Sequence, residues 1–151
     1  MSSYWATAMT NYSRLLEDRR IEREPGVRGQ VAQQLSSARR DLKTARRLLA
    51  DEDEWAYAIA YHAMLSAGRA AMFSEGYRPT STGGHVAVIE FLDIWLGSSS
   101  TEVVQAMDRM RRQRHRITYD APGTVSQSQI REAVQTAEQF IPQIERLLAR
   151  K

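Results

Sequence analysis

Apolar residues recur along this chain at spacings of three and four, the period of an α-helix, and not at the alternation a half-buried strand requires. One stripe joins Val31, Leu35, Ala38, Leu42, Ala45 and Leu49 and predicts a helix over about residues 28–50. A second gathers Trp55, Ile59, His62, Ala63, Ala70 and Phe73 on the inner side of a helix over about 53–75. Further helices are expected over about 4–23, 84–96, 100–119 and 126–150, and strands are not expected. The punctuation supports these bounds. Pro25, Gly26 and Gly29 mark one break; Gly76, Pro79, Gly83 and Gly84 a second; Gly97 with Ser98–Ser100 a third; Pro122 and Gly123 a fourth. Gly97 suits the residue after a helix end, and Ser99 or Ser100 and Ser126 or Ser128 suit helix starts. Pro142 falls inside the last pattern and predicts a kink there.

Long amphipathic helices joined by short loops imply antiparallel neighbours. The expected fold is all-α, an up-and-down antiparallel bundle of about five to six helices forming a single domain over residues 1–151, with 1–25 as a peripheral N-terminal helix. There is no internal repeat.

Composition narrows the chemistry. With 151 residues and no cysteine, the chain can bury a core without disulfides, and thiolate metal sites and a cysteine nucleophile are excluded. No apolar run approaches the roughly 20 residues of a membrane span, and the start Met-Ser-Ser-Tyr-Trp lacks the features of a signal peptide. A cytoplasmic location is the default expectation, with no membrane partner and no cofactor. The run Asp51–Glu54 reads as a complement to the dipole of the helix it precedes, because consecutive residues at a helix start point in different directions and do not gather round a metal.

The net charge is +3 and the sequence pI about 9.5. Lys43 and Lys151 are the only lysines, so the basic residues are nearly all arginine, which suits bidentate contacts to phosphate and carboxylate. Arginines crowd the fifth helix. On a helical wheel Val103, Met107, Met110 and Ile117 form its buried stripe, and Arg114 falls in the middle of that stripe. Arg109, Arg112 and Arg116 point to solvent, while Arg111, His115 and Tyr119 line a flank at four-residue intervals. A buried arginine needs a partner or a cleft. Two readings of Arg114 stand side by side: an internal ion pair with Glu75, Glu90 or Asp93, or a phosphate-facing pocket at a helix or subunit interface. Cleavage of RNA without metal needs a base for the ribose 2′-hydroxyl, an acid for the leaving oxygen and cationic support for phosphate; Arg114, His115 and Tyr119 supply those residue types. Arg109, Arg111, Arg112 and Arg116 are the candidate nucleic-acid-binding residues.

Two segments together resemble the HEPN family. Ala56-Tyr57-Ala58-Ile59-Ala60-Tyr61-His62-Ala63-Met64 begins a tyrosine- and alanine-rich helix, followed by Gly76-Tyr77-Arg78-Pro79 and then Gly84-His85. This is similar to the corresponding helix, Gly-x-x-Pro turn and histidine-bearing loop of short stand-alone HEPN proteins. The fifth helix ends in Arg114-His115-x-x-x-Tyr119, which resembles the family pattern of Arg, a polar residue, three variable residues and His. Tyr119 stands at the position of the family histidine, a variant that occurs in the short stand-alone branch. An alternative register, Arg109 to His115, restores an Arg-to-His motif but sets the two about 120° apart on the helix. The resemblance implies a homodimer with motif helices facing each other, RNA or a nucleotide as partner, and metal-independent endoribonuclease activity in a toxin–antitoxin or defence setting. For other members it implies a non-catalytic binding role, as in pairing with a nucleotidyltransferase-like antitoxin.

Overall fold

The computed structural model describes residues 12–81, 84–119 and 123–150. Residues 12–17 are helical (α1), followed by β1 (Ile21–Arg23), a 3₁₀ turn (Pro25–Gln30), α2 (Val31–Ala50), α3 (Trp55–Ser74), β2 (Tyr77–Pro79), α4 (His85–Leu96), a 3₁₀ turn (Ser98–Ser100), α5 (Thr101–Tyr119) and α6 (Gln127–Ala149). The bundle expected from the periodicity is present, and its long helices begin and end within a few residues of the predicted bounds.

The centre is α3. Its alanines, Gly68, Met64, Leu65 and Met72 are buried on nearly every face, and α2, α4, α5 and α6 all pack against it. Small residues make that crowding workable, because neighbouring helices can approach the backbone closely. At Gly68 an added Cβ would lie 2.7 Å from Val88 Cγ1 and 2.8 Å from Leu92 Cδ1, so the glycine sets how deeply α4 sits on α3. The outer helices bury single stripes: Ala38, Leu42 and Ala45 on α2, and Ile130, Val134, Ala137, Ile141 and Ile144 on α6. The start of α6 is a capping box, with Gln129 N donating to Ser126 Oγ at 3.1 Å and Ser126 N donating to Gln129 Oε1 at 2.8 Å. The helix is continuous through Pro142. Asp53 and Glu54 of the acidic run have structural partners: Trp55 N donates to Asp53 Oδ1 at 2.9 Å, and Gly123 N donates to Glu54 Oε2 at 2.7 Å.

The N-terminal region corrects the sequence reading. A helix over 4–23 and the absence of strands were expected. Instead the helical stretch among the described residues stops at 17, Arg19 adopts φ +55°, and Ile21–Arg23 pairs antiparallel with Tyr77–Pro79 in the register Ile21↔Pro79, Glu22↔Arg78, Arg23↔Tyr77. Residues 4–11 lie outside the described residues, as does Pro122. The physical cause is non-local. Ile21 is buried at 2% exposure, Thr80 N donates to Arg20 O at 3.1 Å and Glu24 N to Gly76 O at 2.8 Å, so a partner segment more than 50 residues away satisfies backbone groups that a helix would have satisfied locally. The ribbon lays Arg19 and Arg20 beside the start of α4.

Candidate functional site

On α5 the buried stripe is Val104, Met107, Met110 and Ile117, with Val103 only partly buried; the expected Val103 is displaced by its neighbour. Arg114 lies between Met110 and Ile117 along this stripe and is half-buried. Two of the three carboxylates considered for it are engaged elsewhere: Glu90 lies 3.6 Å from Arg20, and Glu75 accepts from Trp95 Nε1 at 3.1 Å. Among the described residues no carboxylate oxygen lies within ion-pair distance of Arg114. Its Nη2 instead sits 3.4 Å from His62 Nε2. A guanidinium cannot accept a hydrogen bond, so the imidazole presents a lone pair to it.

Arg114 opens onto a cleft of about 950 Å³ together with Arg19, Arg20, His85, Arg111 and His115; among the described residues Asp18 is its one acidic lining residue. Among the described residues three parts of the chain meet there: the α1–β1 turn, Thr80 and Ser81 with Gly84 and the first turn of α4, and α5. Arg111 is held by Asp108, with Nη2 at 3.1 Å from Oδ1. At the deep side Tyr61 Oη is 2.9 Å from His85 Nδ1, and the rings of His62 and His85 lie edge to face with centroids 6.3 Å apart. Burial, and then the Arg114 charge, pull His62 below the ordinary histidine range. The same burial, with Arg114, Arg69, His62 and Arg111 around it, lowers His85 to about 4. Both rings are therefore neutral at pH 7 while the cleft keeps its arginine charge. Burial pushes the Tyr61 phenol up, so it stays protonated.

The other sequence-predicted residues divide between two places. His115 lines the cleft from its exposed rim. Tyr119 is 68% exposed and does not line the cleft; its ring lies 4.7 Å from that of His115. Arg109, Arg112 and Arg116 lie on the opposite side of α5 and border a groove of about 440 Å³ against α6, with Tyr57, Gln113, Gln129 and Glu132. Arg112 also reaches Asp108 Oδ2 at 3.3 Å. The Arg109–His115 register thus joins residues on different faces of α5. Among the described residues no group of three or more His, Asp or Glu side chains is gathered as a metal ion would need, and no helix is long and apolar enough to cross a membrane.

His85, Tyr61, His62, Arg19 and Arg20 were not among the site residues the sequence suggested. His62 read as an inward core position and His85 as part of a loop motif. The one signal in the sequence was two adjacent polar rings, Tyr61 and His62, in an otherwise alanine-rich helix.

An all-α bundle with a cation-lined cleft beside its arginine-rich helix defines the general class. The HEPN domain model matches residues 31–147, and the chain belongs to the HEPN family. That span takes in α2 through nearly all of α6, with His62, His85 and the whole of α5 inside it. Comparison with curated proteins gives no significant match.

Proposed function

We propose that the protein is an RNA-directed HEPN protein that acts as a metal-independent endoribonuclease, in a toxin–antitoxin or defence setting, as a homodimer. The observation that supports this reading is the cleft around Arg114: an inward-turned guanidinium without a carboxylate partner among the described residues, flanked by Arg111, Arg19 and Arg20. Cations placed where a phosphodiester gains charge during reaction stabilise the transition state without rearranging.

In such a cleavage the ribose 2′-oxygen attacks the adjacent phosphorus, its proton passing to a base. The bond from phosphorus to the 5′-oxygen breaks, and that oxygen takes a proton from an acid. Arg114 and Arg111 hold the phosphate, and His115 at the rim exchanges the proton. Tyr119, beside the His115 ring, is within reach of a strand laid along α5. A second copy facing α5 would cover the exposed His115 and Tyr119 and bring two rims together. Arg109, Arg112 and Arg116 extend the basic surface for flanking phosphates.

The test is incubation of the purified protein with total RNA in chelator. Loss of cleavage on Arg114→Ala is expected; RNA left intact at high protein excess, with no salt-sensitive binding, overturns the reading. Sedimentation at micromolar concentration tests the homodimer, and a species of 17.2 kDa alone counts against it. The position of Tyr119, outside the cleft and at the place of the family histidine, favours a second reading: a non-catalytic module that binds RNA, a nucleotide or a nucleotidyltransferase-like antitoxin. RNA binding without cleavage, or co-purification of that partner, selects it.

A further inference from the structure

Two consecutive residues of α3 each brace one group of the cleft. His62 receives the guanidinium of Arg114, and Tyr61 meets the imidazole of His85. The second contact fixes more than an orientation. Tyr61 is fully buried, with 0% of its surface exposed, and among the described residues its hydroxyl has one hydrogen-bond partner, His85 Nδ1 at 2.9 Å. Its hydrogen must go somewhere, because a buried donor left without an acceptor gives up its hydration with no compensating bond. Were Nδ1 itself protonated, the ring would donate to the phenol oxygen and leave the phenol hydrogen in the alanine-rich interior of α3. With Nδ1 as acceptor, both groups are satisfied. A neutral imidazole whose Nδ1 accepts carries its proton on Nε2.

The surroundings keep the ring neutral. Its charged form is opposed by burial and by Arg114, Arg69 and Arg111. With Nδ1 committed to Tyr61, Nε2 is the polar atom left for whatever enters the cleft that His85 lines. A neutral N–H among arginines adds a hydrogen bond to an anion without adding to the repulsion among the arginines that line the cleft.

Resting on the reading of the cleft as a phosphate site, we propose that His85 is a phosphate-binding residue that acts as a neutral donor through Nε2–H, with Tyr61 as the positioning residue that sets its tautomer. His85 is then not the base of the reaction: an Nε2 lone pair would require the opposite tautomer. Proton exchange is left to the rim, and His85 fixes one non-bridging oxygen of the phosphodiester beside Arg114.

The experiment is long-range proton–nitrogen NMR of the histidine rings in the full chain at pH 7, with inorganic phosphate as the probe. The expected result is a protonated Nε2 and a bare Nδ1 for His85, with Nε2 shifting as phosphate is added, and mixing of the two tautomers in Tyr61→Phe. His85→Ala is expected to weaken phosphate about tenfold, and His85→Gln, whose amide can occupy the Nε2 position, only about threefold, as removal or retention of one hydrogen bond to a charged group implies. A protonated Nδ1, or a ring indifferent to phosphate that saturates the protein, overturns the proposal, as does equal weakening in the alanine and glutamine variants. Where a variant does not fold, the tautomer and titration of the unaltered protein decide alone. Failure of the ribonuclease reading is separate: RNA stays intact and unbound in chelator while the tautomer and phosphate shifts are as expected.

Discussion

Arg111 and Arg114 on one side of α5, and Arg109, Arg112 and Arg116 on the other, belong to a single short run, yet their surroundings differ in kind. The first pair enters a cleft braced from below by α3 and bordered by two more arginines and two histidines. The other three border a smaller groove in which Glu132 and Gln129 share the lining and Arg112 is tied to Asp108. Burial makes the difference. A half-buried guanidinium has shed part of its hydration and gains strongly from an anion, whereas an exposed one exchanges one solvated partner for another. The cleft side is suited to holding a reacting phosphate, and the groove side to attracting the rest of a strand.

The largest effect expected from breaking this contrast is on Arg114. Arg114→Ala should lower RNA cleavage by about 10²–10³-fold, the cost of removing one preorganised transition-state interaction. Because no carboxylate depends on it among the described residues, the unfolding free energy should change by no more than about 1 kcal/mol. Cleavage rates and urea melts on the same variant check both halves, and a drop of several kcal/mol would restore the internal ion pair as the explanation.

Next in size is Gly68→Ala. The added methyl meets Val88 and Leu92 at 2.7 and 2.8 Å and should cost about 1–3 kcal/mol through overpacking. It should also displace α4, and with it His85, while the α5–α6 groove keeps its shape. Thermal melts and RNA-binding curves for the variant, set beside those of Arg109→Ala, separate the two sides.

Smaller still are the groove arginines taken singly. Each of Arg109→Ala, Arg112→Ala and Arg116→Ala should weaken RNA binding a few-fold regardless of sequence. Each should also reduce the salt slope by about 0.7, the share of one phosphate no longer neutralised on a single strand. A slope unchanged in all three removes the groove from the binding surface.

The remaining expected effect is that of pH on stability. His85 titrates near 4 in the folded chain and at its ordinary value, roughly 6.5, when unfolded. Between those values the unfolded chain binds the extra proton. Stability is thus complete above about pH 6.5 and falls as pH drops toward 4. His62, also lowered, adds in the same direction. Melting temperatures of the parent chain should decline through that window, and His85→Gln should flatten the curve; equal slopes in both would contradict the assignment.

Helices α2, α5 and α6 were legible because each buries a single stripe, and that stripe is written at a spacing of three and four. Helix α3 was legible as a helix, but the inner face read for it was not the whole story: Trp55 is 46% exposed while burial runs round nearly every face, and a helix buried all round has no single stripe to mark its central place. Strand β1 was hidden: Ile21–Arg23 has no alternation long enough to register, and its partner is Tyr77–Pro79, far along the chain. Arg114 could be singled out because a charge interrupted an apolar series. His85 and Tyr61 could not, because one falls beside a loop motif and the other among core residues.

The order of amino acids thus determined which stretches coil, which faces are apolar, and that one guanidinium is turned inward, since these depend on neighbours within a turn or two. Folding in three dimensions decided that this guanidinium meets a histidine rather than a carboxylate, that Arg19 and Arg20 join it, and that a phenol from the central helix reaches the imidazole at the start of α4. Each of those meetings joins segments separated by tens of residues, and such pairings are chosen by the packing of whole helices and not by any local preference.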